Sequence, residues 1–149
     1  RNQPLKTAVM RAAMSRLSPP LLSERMVQAV TRLPESYYAG IQAEYQARRD
    51  TTLRGIHAIK GARAGNPEGA FYLFAELPVD DSDRFSEFLL TSFSDGGETV
   101  NVAPGSGFYA SEQKVKREIR LAYVLRSAEL ERAMAVLKNA VDAYNRLGA

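Results

Sequence analysis

The chain has no cysteine, no tryptophan and only one histidine, His57. It also has no apolar run long enough to span a membrane. Without cysteine there can be no disulfide, no thiol nucleophile and no thiolate metal site, and the composition fits a reducing compartment such as the cytoplasm. A single imidazole excludes a zinc or iron centre built on several histidines. There is no secretory-signal pattern. Arg1-Asn2-Gln3-Pro4 leads directly into an apolar pattern with no initiating Met, as expected of a piece of a longer protein.

The 149 residues that are there, 45% hydrophobic and 25% charged, have ordinary globular composition and suffice for one domain with a core. The net charge of +3 is spread along the chain. The densest basic patch, Lys114-Val115-Lys116-Arg117, lacks interleaved aromatics and reads as the solvated start of a strand. A nucleic-acid partner is therefore not expected, and neither is a membrane.

Periodicity divides the chain into an all-helical part and an α+β part. Residues 3–16 and 21–32 read as helices separated by Leu17-Ser18-Pro19-Pro20, whose prolines remove donors and push the preceding residues toward extended backbone. A long helix is expected over 34–59, with a polar waist from Gln46 to Asp50 and Gly61 as its stop. A boundary is expected near residue 60. Beyond it, strands are expected at 71–77, 99–102 and 118–125. A helix capped by Asp80-Asp81-Ser82-Asp83 turns Phe85, Phe88 and Leu89 inward. A last helix begins at a Ser127 cap and buries Leu130, Met134, Leu137, Val141 and Tyr144. The expected fold is α+β: a small antiparallel-rich sheet covered by helices on one face, preceded by helices.

Arg120 is the leading candidate site residue. In Glu118-Ile119-Arg120-Leu121-Ala122-Tyr123-Val124, strand alternation sends Ile119, Leu121 and Tyr123 one way and Arg120, Ala122 and Val124 the other. A guanidinium on an otherwise apolar strand needs an anion or several acceptors, because it keeps its charge when buried. Two readings remain open from the residues alone. Arg120 is a structural arginine paired with an internal Asp or Glu, or it is a rigidly held fork for a ligand carboxylate. Other conspicuous residues have plainer roles. His57 places a cation near a helix C-terminus. Tyr37, Tyr38 and Tyr45 are helix-face packing and interface residues. Asp80, Asp81 and Asp83 form an acidic cap, without the glycine and glutamate spacing of a calcium loop.

Four segments in order carry a family resemblance: Leu17-Ser18-Pro19-Pro20, Pro67-Glu68-Gly69-Ala70-Phe71-Tyr72, Val102-Ala103-Pro104-Gly105-Ser106-Gly107-Phe108 and Ile119-Arg120-Leu121-Ala122-Tyr123. Together they resemble the C-terminal portion of the class I, fold-type I aminotransferases, which depend on pyridoxal 5'-phosphate. Ala75-Glu76-Leu77-Pro78-Val79-Asp80-Asp81 and Gly97-Glu98-Thr99-Val100 look closest to the bacterial aspartate aminotransferases.

The resemblance implies that residues 1–59 end a large domain and supply the long interdomain helix, and that 60–149 form the small domain. It implies that Arg120 binds the substrate α-carboxylate and that Gly105 and Phe108 lie near the substrate entrance. Ser18 and Pro19, with Arg16 nearby, would lie at a subunit interface close to the neighbouring active site of a homodimer. Where many aspartate-specific members carry an arginine a few residues before the Pro-Pro pair, Ala13 stands six residues before Pro19. None of Lys6, Lys60, Lys114, Lys116 and Lys138 has the Ser-x-x-Lys context of the Schiff-base lysine. The chain is therefore expected to hold no catalytic residue, no covalent cofactor and no metal. Its parent would transfer an amino group between an L-amino acid, aspartate by this likeness, and a 2-oxo acid. The alternative is a non-catalytic carboxylate-binding or oligomerisation module with the same small-domain fold.

Overall fold

The computed structural model describes residues 2–15, 20–109 and 116–147. It divides into two compact units, Arg1–Ala39 and Gly40–Ala149. In the first, α1 (Gln3–Met14) starts at Asn2, whose side-chain oxygen accepts the Leu5 N–H at 3.2 Å. Pro4 sits in its first turn, where a missing N–H costs nothing. Next, α2 (Leu21–Val30) follows Pro20, and neither helix contains a buried residue. The Tyr38 hydroxyl donates to the Val30 carbonyl.

The division into units falls inside helix α3 (Glu35–His57). Its C-terminal half belongs to the core of the second unit. Leu53, Ile56 and the following Ile59 are buried there, and Tyr45 packs against the same core. The last turns tighten through Ile59 N–H to Ile56 and Ala62 N–H to Ile59, both at 3.0 Å, so α3 stops before Gly61.

The second unit holds a four-stranded antiparallel sheet, β1 (Arg63–Ala64), β2 (Tyr72–Glu76), β3 (Ala103–Pro104) and β4 (Glu118–Ala122), in the order β1-β2-β4-β3. One face carries Leu73, Ala75, Ile119 and Leu121 into a common core with α3, α4 (Ser82–Thr91) and α5 (Ser127–Leu147). This is the expected α+β sheet with helices on one face. Phe85 and Leu89 of α4 are fully buried and Phe88 half-buried. Leu130, Met134, Leu137 and Val141 make the buried stripe of α5, and Tyr144 packs beside it. A side chain at Gly55 would place its Cβ 2.3 Å from Met134 Cβ, so α3 and α5 approach closely because that position is glycine.

Two local expectations are corrected. Residues 99–102 are not a strand. Thr99 Oγ1 donates to the Leu89 carbonyl at 2.7 Å, which turns the chain toward α4, and pairing begins only at Ala103. Val102 is nonetheless buried. Pro104, with no N–H to give, fits the short edge strand β3. Ser127 is the first residue of α5 rather than its cap. The carboxylate of Glu129 reaches back to the Arg126 N–H at 3.0 Å, the return half of a capping box.

Candidate functional site

The alternation along β4 has the consequence expected of it. Ile119, Leu121 and Tyr123 are buried, and Arg120 projects from the opposite face. Register then determines its neighbours. Phe74 of β2 stands directly across from Arg120 on one side and Ala103 of β3 on the other. Tyr72, two residues from Phe74, shares that face.

The strand–turn segment after β3 completes the surround. A 3-10 turn over Gly105–Phe108 folds back across β4. Gly105 makes this possible, since a Cβ there would lie 2.8 Å from both Cβ and the carbonyl oxygen of Glu118. Ser106 Oγ donates to Asp83 Oδ1 at 3.1 Å, tying the turn to the start of α4. The Tyr109 hydroxyl donates to the Glu118 carboxylate. That hydrogen bond, with some help from desolvation, raises the Tyr109 phenol above its ordinary range. The turn is thus held at three points, and it sets Phe108 against Arg120.

The guanidinium carbon of Arg120 lies 4.3 Å from the Phe108 ring centre and 4.6 Å from that of Tyr72. Phe74 meets Phe108 edge-on at 5.5 Å and Tyr109 at 6.5 Å. Rings present their negative π-faces to a cation, and such contacts contribute about 0.5–2 kcal/mol depending on exposure. Among the described residues, no carboxylate lies within ion-pair distance of Arg120, and its nitrogens donate no hydrogen bond. The reading as a structurally paired arginine finds no partner among those residues. Aromatic rings instead lie against the guanidinium.

Of the other candidates, Gly105 and Phe108 are brought to Arg120, Gly105 through close packing and Phe108 through its ring. Arg16, Ser18 and Pro19 lie outside the described residues. Reasoning from sequence did not pick out Tyr72, Phe74 and Tyr109. A signal was there for the first two, which occupy alternate positions of β2 and so share one face. Asp81 is the N-cap of α4, accepting from Asp83 N at 2.9 Å and Arg84 N at 3.2 Å. Asp80 accepts from the Tyr144 hydroxyl at 2.7 Å, and this bond lowers its pKa. His57 is exposed. A separate cleft lies between α3 and the 67–71 loop. There Arg49 donates to the Pro67 carbonyl at 3.2 Å and Tyr123 to that of Ala70 at 3.0 Å.

Lys6, Lys60, Lys116 and Lys138 are all exposed, and Lys138 pairs with Asp142 at 3.2 Å. What the described residues can do is bind and orient an anion at Arg120. No helix among them is long and apolar enough to cross a membrane.

No protein-family model matches the chain. Relatives do. It is 31% identical over 103 residues to a protein of Aquifex aeolicus named "Probable aspartate/prephenate aminotransferase", covering 66% of this chain and 24% of that one. The solved aspartate aminotransferase of Rhizobium meliloti superposes with a TM-score of 0.60 at 29% identity, covering 74% of this chain and 28% of that one. The α-aminoadipate aminotransferase LysN of Thermus thermophilus shares the fold over 99% of this chain and 37% of its own, with a TM-score of 0.69 at 19% identity. The chain spans about a quarter to a third of the length of the curated relatives it matches. In sequence the chain is similar to part of the aspartate aminotransferases, and in fold it matches part of aminotransferases of known structure.

Proposed function

We propose that this chain is the C-terminal, substrate-anchoring part of a pyridoxal-phosphate-dependent transaminase, and that Arg120 binds the α-carboxylate of the amino and 2-oxo acids. One observation carries the reading. Arg120 stands on a rigid strand with aromatic rings against its guanidinium and no described carboxylate in contact with it. A ligand carboxylate can take two parallel N–H···O bonds from such a fork, which orients the amino acid as well as holding it.

On this reading the cofactor and its lysine belong to residues beyond this chain, which is inactive alone. Pyridoxal phosphate would supply the electron sink, and the protein orientation. The donor is aspartate, as in the names of the curated relatives, with its second carboxylate met elsewhere in the whole protein. Residues 1–59 close the large domain and link it to the small one, and the whole enzyme is a cytoplasmic homodimer. An ammonium cannot reproduce the fork. In the whole enzyme, Arg120→Lys raises KM for both amino and 2-oxo acid by about tenfold or more, since each charge-assisted bond contributes about 1.5–3 kcal/mol. Near-normal KM values would reject the role.

The exposed lysines suit a second reading, a non-catalytic carboxylate-binding module. Borohydride reduction of the whole protein with pyridoxal phosphate separates the two. A single labelled lysine outside these 149 residues belongs to the enzyme, and no labelled lysine to the module.

A further inference from the structure

We propose that the share of the site supplied by this chain favours a monocarboxylate bearing an aromatic or bulky apolar group and gains nothing from a second carboxylate. The inference rests on Arg120 being the carboxylate anchor, and adds what surrounds that anchor. The described residues that touch the guanidinium or stand directly across from it are uncharged. Tyr72 and Phe108 lie on the guanidinium, Phe74 and Ala103 stand opposite it, and Ala122 comes after it on the strand. Phe74, Phe108 and Tyr109 are already packed edge-on or tilted, so an incoming ring finds both ring edges and faces to meet.

Charge on the same face points the same way. The next outward-facing residue of β4 is Glu118, roughly 7 Å along the strand, opposite Glu76. Arg63 stands across from Glu76 and Arg117 lies 3.7 Å from it. Among the described residues, that row sets Arg63 and Arg117 against Glu76 and Glu118. A second carboxylate on an acid anchored at Arg120 would land on ring faces, which repel anions, or beside Glu118. A phenyl or branched aliphatic group would instead displace water from Phe74, Phe108 and Tyr72, each of which is about two-fifths to one-half exposed.

The test uses the 149-residue chain itself, labelled with nitrogen-15, with the side-chain N–H signal of Arg120 as readout. The probes are pyruvate, phenylpyruvate and oxaloacetate, which share a 2-oxo carboxylate and differ in the group on the third carbon: hydrogen, phenyl or a second carboxylate. Phenylpyruvate is expected to bind roughly three- to tenfold more tightly than pyruvate, from one aromatic contact set. Oxaloacetate is expected to bind no more tightly than pyruvate. Phe108→Ala should shrink the phenylpyruvate-to-pyruvate ratio toward one. If oxaloacetate binds tightest, or phenylpyruvate gains nothing while both still shift Arg120, the inference falls and the carboxylate anchor stands. If no acid shifts Arg120, the anchor falls and takes the inference with it.

Discussion

Gly105→Ala tests whether the turn beside Arg120 is built as described. The added Cβ would sit 2.8 Å from two atoms of Glu118, one of them the backbone carbonyl oxygen. The oxygen belongs to β4, paired on both sides, and has little room to retreat. Relief must come from the turn, which would lift from the strand and carry Phe108 off Arg120. Overpacking of this kind costs about 1–3 kcal/mol. For a chain of this size that is a fall in Tm of roughly 3–12 °C. Gly107 is the matched control. It lies two residues further on in the same turn, and a Cβ there meets nothing within 4 Å. Gly107→Ala should stay within about 0.5 kcal/mol of the parent. Thermal melts followed by circular dichroism suit a chain without tryptophan. Pyruvate titration of the Arg120 side-chain signal supplies the second readout, which only Gly105→Ala should weaken. Equal melts for the two variants would refute the packing argument, and unchanged pyruvate affinity in Gly105→Ala would refute the link from turn to arginine.

The contact between α3 and α5 supports a double-mutant cycle. Gly55→Ala should destabilise by about 1–3 kcal/mol through collision with Met134 Cβ and Cγ, and less in a Met134→Gly background, which removes both atoms, with a coupling of about 0.5 kcal/mol or more measured by urea unfolding. Strict additivity would sink that account. Alkaline unfolding reports on Tyr144, whose phenol is pushed up to about 12 by burial and by its bond to Asp80. Its unfolded value is about 10. The folded state therefore holds this proton more tightly, and the contribution is complete below about pH 10 and lost as pH rises through about 12. Tyr144→Phe should lose stability less steeply than the parent across that window, and parallel curves would contradict the assignment.

The side of β4 on which Arg120 stands was legible in seven residues, because strand alternation is a local property and the core side is uniformly apolar. Its company was not. Tyr72 and Phe74 lie more than forty residues upstream, and only the β2–β4 register makes Phe74 the neighbour of Arg120. A slip of one residue would have put Leu73 or Ala75 there instead. The choice between a paired arginine and a ligand arginine turns on that register, so spacing left it open. The missed strand limits have related causes. Thr99, Val100 and Val102 have strand propensity, but a side-chain bond to α4 diverts the chain, and context outweighs β-propensity. At two residues, β1 is too short to show any period. Gly105 carried the least local signal of all, since one glycine in a glycine-rich loop resembles the next. What sets it apart from Gly107 is the backbone of a strand that begins thirteen residues later. A site assembled from a strand, its antiparallel neighbour and a returning turn is therefore legible in sequence only at the residue whose chemistry is out of place. Here that residue is the arginine, and the rings that define its preference become visible only once the sheet is paired.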